Sequence, residues 1–417
     1  MSDDKHLEIR SERQIQKFCI YGFLKNLKFF EPYLLIFLMG KGISLFEIGL
    51  LIGIREILIN VFEIPSGFIA DYFGRKKELY FCFSLYILSF ICFFFTNSFA
   101  MAAVAMGLFG LGEAFRSGTH KAMIFTYLDH RGWQGEKTYV YGLTRSWSLV
   151  GSAVSSVIGI LLILLAPAVN FIFLFSIIPY ILDFFLILSY PAYLDQSDKE
   201  GETDLRGMFR SVYLQFRHSR LLRNLLMEEG IFESIISCVK DMIQPILETI
   251  ILSSGFVVLS RLTKEDNLHV LLGLTYATLN LFGSYASHQS HVIKKHGTSL
   301  HCLRMLHLGL AICMAALALV SRFSLPVLAI YLVIYFLFNV RKPIFIDEID
   351  EHIEKSARAT TLSISAQLKS LFLMVFAPAA GWIADRFGIA AMMLLLSLVL
   401  LASLPLLKSG PAVKTED

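Results

Sequence analysis

The sequence predicts an all-α integral membrane protein of twelve transmembrane helices in two six-helix bundles, and three observations carry that reading. Hydrophobic residues make up 55% of the 417 and charged residues only 17%, against about 45–50% and about 25% in an ordinary soluble domain. Mean hydropathy is +0.62, and runs such as Leu79 to Thr96 approach the roughly 20 residues a helix needs to cross a hydrocarbon core about 30 Å thick. The Lys and Arg residues of the short connections, finally, fall on alternate turns of the chain. Large soluble enzymes, nucleic-acid binders and disordered scaffolds are thereby excluded, and a net charge of +3 is too small to imply a polyanionic partner.

The first 17 residues carry both signs (Asp3, Asp4, Lys5, Glu8, Arg10, Glu12, Arg13) without an apolar stretch or a small-residue cleavage site, so a short cytoplasmic tail is expected there rather than a signal peptide. Twelve spans follow, near 18–39, 46–70, 78–96, 99–126, 139–165, 170–192, 226–254, 268–290, 300–321, 325–347, 359–380 and 387–407. Spans one, seven, ten and eleven each contain several charged or strongly polar residues. The charge-dense stretch from Asp195 to Arg223 separates an N-terminal bundle (1–194) from a C-terminal one (224–417), with 195–223 as a cytoplasmic linker.

Orientation follows from the basic residues, because positively charged loops stay cytoplasmic. One set of ends carries Arg75-Lys76-Lys77, Arg131 with Lys137, Arg206 to Arg223, Lys294-Lys295, Lys355 with Arg358, and Lys408; the other carries only Lys41, Arg261, Lys264, Arg322 and Arg386. Both termini are therefore expected on the cytoplasmic side. The six cysteines (Cys19, Cys82, Cys92, Cys238, Cys302, Cys313) stand singly without metal-ligand spacing, which suggests neither a disulfide framework nor a metal site.

The halves repeat. Lys28-Phe29-Phe30-Glu31-Pro32-Tyr33-Leu34 in span one aligns with Asp241-Met242-Ile243-Gln244-Pro245-Ile246-Leu247 in span seven. His120-Lys121 followed by Asp129 in span four aligns with Arg341-Lys342 followed by Asp350 in span ten. Such repeats place a substrate site near the midplane. Polarity recurs every three spans: spans one, four, seven and ten are heavily charged, while three and twelve have uncharged cores, six carries only Asp183, and nine has Arg304 and His307 towards one end. Because a charge in lipid costs at least ~2.5–3.5 kcal/mol, the first member of each triplet is expected to line a cavity and the third to face lipid.

Span two ends Gly67-Phe68-Ile69-Ala70-Asp71-Tyr72-Phe73-Gly74-Arg75-Lys76-Lys77, span eleven ends Gly381-Trp382-Ile383-Ala384-Asp385-Arg386-Phe387-Gly388, and a decayed copy runs from Gly283 to Gly297. With twelve spans and a twofold repeat, this pattern resembles the signature of the major facilitator superfamily over essentially the whole chain. The resemblance implies two six-helix bundles that rock about a central site. Physically, Gly67 permits close helix approach, and Asp71 can accept hydrogen bonds at a neighbouring helix N-terminus or pair with a cation. Gly67, Asp71, Gly74, Arg75 and Asp385 are thus candidate gating residues, with a topology signal as the alternative. Drug/proton antiporters of that superfamily carry a Gly-Pro-rich motif in span five, where this chain reads Gly151-Ser152-Ala153-Val154-Ser155-Ser156-Val157-Ile158-Gly159.

At 100° per residue, Glu113, Arg116 and His120 share a face of span four, Glu233, Lys240, Gln244 and Glu248 a face of span seven, and Asn339 and Lys342 a face of span ten. Thr144 and Ser148 form a stripe in span five with Arg145 and Trp147 beside it. Candidate substrate-binding residues are Lys25, Lys28, Arg116, His120, Lys121, Arg145, Lys240, Gln244, Asn339 and Lys342, since guanidinium and ammonium groups suit carboxylate or phosphate. The competing reading pairs the intramembrane cations, Arg341 and Lys369 among them, with Glu31, Glu113, Glu233, Asp241 and Asp347. Glu31, Glu113 and Asp241 are the candidate proton-coupling carboxylates.

No GxxxxGK[ST] pattern and no nucleophile–base constellation occurs, so neither ATP drive nor an enzyme is expected. The expected protein is a monomeric secondary transporter of the bacterial inner membrane, without cofactor or metal. Its partners are a small anionic or zwitterionic solute, a coupling proton or ion and the bilayer, and no nucleic acid. Efflux of amphipathic or drug-like compounds, and a non-transporting receptor or enzyme on the same scaffold, are the alternatives.

Overall fold

The structure, a computed structural model, describes residues 2–116, 118–195, 219–254, 259–294, 298–320, 323–350, 352–353 and 358–407. These are helical almost throughout, with short 3-10 turns and no strand among them. Most of the expected linker, 196–218, lies outside the described residues, as do Lys355, Lys408 and the side chains of Asp71, Lys294 and Arg358.

The expected spans are present in order. A tail helix α1 (Ser2–Ser11) precedes span one, which is α2 (Arg13–Lys25), a 3-10 turn at Glu31–Tyr33 and α3 (Leu34–Gly40). Spans two and three are α4 (Leu45–Phe73) and α5 (Arg75–Phe94). Span four is α6 (Phe99–Arg116) and α7 (Thr119–His130); spans five and six are α8 (Lys137–Leu165) and α9 (Phe171–Leu188). Span seven is α10 (Arg220–Asp241) and α11 (Ile243–Ser254), followed by α12 (Lys264–Lys294), α13 (Ser299–Val320), α14 (Ser324–Asp350), α15 (Arg358–Phe387) and α16 (Ile389–Ser403).

Spans three to six and nine to twelve meet the length and hydropathy a membrane crossing requires. Spans ten and eleven pass despite their charges. Spans one and seven are cut into two helices each, α4 holds Glu47, Arg55, Glu56 and Glu63, and α12 is rich in Asn, Thr, Ser and His. The breaks have local causes. Pro32 enters the 3-10 turn without an N–H to donate, Asn26 turns its amide onto the Gly22 carbonyl at 2.7 Å, and Gly118 has φ +87°, a conformation that glycine alone adopts without penalty.

The described residues divide into two compact units, drawn from 1–43, 54–199 and 255–281 and from 44–53, 200–254 and 282–417. The long helices α4 and α12 each contribute to both. Within the first unit α2 packs on α8, and α5 on α6 and α9; within the second α10 packs on α15, and α13 on α14 and α16. In span numbers these pairs are 1–5, 3–4 and 3–6, then 7–11, 9–10 and 9–12, so the repeat read in the sequence recurs in the packing. Leu225, Leu226, Leu303, Val340 and Ile344 centre the core of the second unit. In the first, the rings of Phe83, Tyr86 and Phe90 gather around Tyr180.

Candidate functional site

Where α2, the α6–α7 break and α8 come together, the first unit forms a half-open cavity of about 180 Å³. Lys25, Arg116, His120, Lys121 and Arg145 line it, and among the described residues no carboxylate does. Five of the sequence-predicted binding residues therefore share one space. Thr144 and Ser148 of the predicted span-five stripe are there too, whereas Trp147 turns away onto Phe23. The break makes the convergence possible: Arg116 ends α6, Gly118 interrupts the helix with a positive φ, and His120 and Lys121 lie in the first turn of α7.

The cavity cations are held by soft contacts more than by acids. The Lys121 ammonium lies over the rings of Tyr141 (5.2 Å) and Phe125 (5.5 Å). His120 stacks on Tyr21 with ring centroids 3.5 Å apart, and its Nε2 meets the Tyr190 hydroxyl at 3.2 Å. Arg116 is the exception, donating from Nη2 to Glu113 at 2.6 Å and from Nε to the Tyr86 hydroxyl at 3.2 Å. Glu113 also stands 3.7 Å from Lys28, whose ammonium lies 5.4 Å from the Phe109 ring centre. Lys28 is thus placed behind Arg116 and does not line the cavity. Glu31 is exposed at the head of the 3-10 turn. Tyr21 and Tyr141 are cavity residues that the sequence reading passed over; Tyr21 stands one turn before Lys25, a spacing that marks a shared face.

The predicted residues of the second unit have other partners. Lys342 pairs with Glu233, which Lys369 approaches to 3.8 Å. Lys240 lies over the rings of Tyr335 (5.1 Å) and Phe338 (5.7 Å). Asn339 donates to the Tyr335 carbonyl at 2.7 Å, Gln244 is buried, and Asp241 is half-buried at the end of α10. Arg341, on a span expected to line a cavity, is 1% exposed: it pairs with both Glu228 and Glu229 and lies 3.7 Å over the Phe232 ring. The His307 ring bridges Glu228, 2.8 Å from its Nδ1, and the Leu400 carbonyl, 2.7 Å from its Nε2. This buried network was legible only as a pair of adjacent acids inside an apolar span.

The two motif copies differ. In the second, the Asp385 carboxylate accepts from the backbone N–H groups of Leu45 (3.1 Å) and Phe46 (2.8 Å), the first turn of α4. A Cβ on Gly381 would stand 2.1 Å from the Leu45 carbonyl oxygen. Close approach and helix capping, expected of Gly67 and Asp71, are the geometry of Gly381 and Asp385 in the second copy, while the Asp71 side chain lies outside the described residues. A Cβ on Gly67 would meet nothing within 4 Å among the described residues. At the first copy Gly74 has φ +101°, Asp195 caps α5 by accepting from the Lys76 N–H at 2.7 Å, and Arg75 donates to Thr126 at 2.7 Å.

Long apolar helices whose packing repeats twice, with a charged cavity inside, define a multi-pass membrane transporter. The chain belongs to the Major Facilitator Superfamily, which residues 18–371 match. Over 90 residues it is 33% identical to the uncharacterized MFS-type transporter YxaM of Bacillus subtilis (strain 168), a stretch covering 22% of this chain and 23% of that protein. The chain thus spans about a quarter of that relative in the match. Its fold is similar to that of the nucleoside transporter NupG (TM-score 0.78, 9% identity, 96% of this chain and 100% of that one). It is similar also to a D-xylose-proton symporter (TM-score 0.70, 12% identity, 96% and 98%). At such identities the likeness speaks for the fold.

Proposed function

We propose that the protein is a secondary active transporter that moves a small organic anion by alternating access, coupled to protons, with both termini cytoplasmic and the cavity of the first unit as part of its binding site. The single observation that carries the reading is the lining: Lys25, Arg116, Lys121 and Arg145 with His120, and no carboxylate among the lining residues. Glu113 offsets only part of this charge; several cations gathered in a low-dielectric space are costly, and a carboxylate or phosphate neutralises them. Arg116 and Arg145 supply forked donors that match such groups. A neutral sugar or nucleoside offers no charge to these groups, so the solutes named for NupG and the xylose symporter suit this cavity less well.

Binding by the purified protein tests this. Carboxylates and phosphate monoesters should raise the melting temperature, since a ligand that binds only the folded state stabilises it, and Arg145→Gln should weaken that effect. Stabilisation by a nucleoside or sugar, unchanged in Arg145→Gln and absent with every anion, would overturn the anion reading.

A further inference from the structure

Lys121 and Arg145 stand on adjacent walls of the cavity, α7 and α8, which pack against each other. Tyr141 and Arg145 are one turn apart on α8 and share a face, with about 5–6 Å between their Cβ atoms. The Lys121 ammonium lies 5.2 Å from the Tyr141 ring centre, which carries it across from α7 to the stripe that Arg145 continues. Two cations are thus brought to one stripe, and both are exposed where the cavity opens.

The acids of this region are engaged elsewhere. Spans four and five and their connection hold only Glu113, Asp129 and Glu136. Glu113 pairs with Arg116 at 2.6 Å and stands 3.7 Å from Lys28. Asp129 pairs with Lys137 at 2.8 Å, and Glu136 is taken by Lys5 (3.1 Å) and His6 (3.3 Å) of α1. Glu12, just before α2, pairs with Arg131. Neither Lys121 nor Arg145 has an ion pair among the described residues. The repeat supplies the contrast: Lys342, which aligns with Lys121, is paired with Glu233. The rings of Tyr141 and Phe125 steady the Lys121 ammonium without neutralising it or consuming its N–H donors.

We propose that the Lys121–Arg145 pair selects a dianionic head group and that the solute is an organic phosphate monoester, which rests on the anion reading of the cavity. An ionised carboxylate brings one charge and about four acceptor positions, whereas the guanidinium offers up to five N–H donors and the ammonium up to three. A carboxylate that answers one of the two cations leaves the other without a counter-charge. A phosphate monoester carries nearly two charges at about pH 7 on three strong acceptor oxygens. Two of those oxygens match the Arg145 fork, and the third takes the Lys121 ammonium as a point charge. Free phosphate would use the same groups but leave the apolar wall of Phe18, Ile124 and the Tyr141 ring uncovered, which is why an ester fits the cavity better than the bare ion.

Calorimetric titration of the full-length protein in detergent, at about pH 7.5 where the monoester has lost its second proton, compares phenyl phosphate with methyl phenyl phosphate. The diester keeps the ring and has one charge fewer. Wild type should bind the monoester about tenfold or more tighter than the diester, the worth of one charge-assisted hydrogen bond. Lys121→Gln should cut that preference to about threefold or less and leave the diester Kd nearly unchanged, and Lys121→Arg should keep it. Arg145→Gln should weaken the monoester more than the diester. Lys121→Met, which keeps the apolar stem over the rings, replaces the amide if that variant does not fold. Inorganic phosphate should bind more weakly than phenyl phosphate. A monoester bound no tighter than the diester by wild type, a preference that survives the loss of the Lys121 ammonium, or inorganic phosphate bound as tightly as the ester overturns this inference, while diester binding still upholds the anion reading. Binding of neither ester, nor of benzoate, overturns the anion reading and this inference with it.

Discussion

Removing the Asp385 carboxylate should let the first turn of α4 part from α15. Two backbone N–H groups, of Leu45 and Phe46, lose a charged acceptor at 3.1 and 2.8 Å. Loss of a helix cap costs about 0.5–2 kcal/mol, and the carboxylate's attraction to the helix N-terminus adds about 0.3–1 kcal/mol at an exposed site. Asp385 is exposed, so water takes over part of its work and a net cost of about 1 kcal/mol is the reasonable figure, equivalent to about a fivefold rise in the opened population. Ala377 reports on that opening. It is 5% exposed, and its carbonyl lies against Gly49 of α4, so a cysteine there becomes reactive only when the helices separate.

In a cysteine-free background, Ala377→Cys should be alkylated by a membrane-impermeant reagent about fivefold faster with Asp385→Ala than without it. Asp385→Asn, which keeps one acceptor oxygen but no charge, should fall between. A cysteine at Ala311, 1% exposed between α13 and α16, controls for general unfolding and should not change. Equal rates at Ala377→Cys with and without the carboxylate would refute the clamp.

Gly381→Ala should destabilise the protein, by about 1–3 kcal/mol as overpacking does, because its Cβ meets the Leu45 carbonyl, while Gly67→Ala should leave the melting temperature unchanged. Arg341→Met should cost about 3–5 kcal/mol in thermal unfolding by stranding buried Glu228 and Glu229, and adding Glu228→Gln and Glu229→Gln should restore most of it. Lys77 should label from the side of the termini, with Lys41 and Lys264 labelling from the opposite side, when each is replaced by cysteine in intact cells.

Span positions and the twofold repeat were legible because both are written in composition, which a coarse ruler can read. Cavity faces were legible where a helix stays regular: Thr144 and Ser148 at i, i+4 both line the cavity. Helix breaks were not, since the turn at Gly118 depends on a positive φ that glycine permits without dictating. Charge pairing with Glu113 and Glu233 was legible as an alternative, but the pairing of Arg341 with Glu228 and Glu229 was not. Arg341 and Lys342 are neighbours in the chain, yet on a helix they point about 100° apart; one is sealed against Glu228 and Glu229 and the other reaches Glu233. Asp183, 0% exposed, was assigned to a lipid-facing helix on span order, which describes an average face and says nothing of one inward residue.

The breaks and the cations belong to one device. Lys25 is the last residue of α2, Arg116 the last of α6, and Lys240 lies in the last turn of α10. Spans one, four and seven thus each stop just after a cation, and a helix C-terminus presents unsatisfied carbonyls equivalent to about half a negative charge. Arg116 keeps Glu113 beside it at 2.6 Å as well. A helix end offsets part of the burial cost and leaves the cation available, which a continuous helix cannot do at mid-span because its carbonyls are already bonded. Span ten is the contrasting case: α14 runs unbroken past Arg341 and Lys342, and there the two cations are held by Glu228, Glu229 and Glu233 instead. Where the helix continues past Arg341 and Lys342, acids alone hold the cations; where it breaks, the helix end adds to whatever acid is present, as at Arg116 with Glu113.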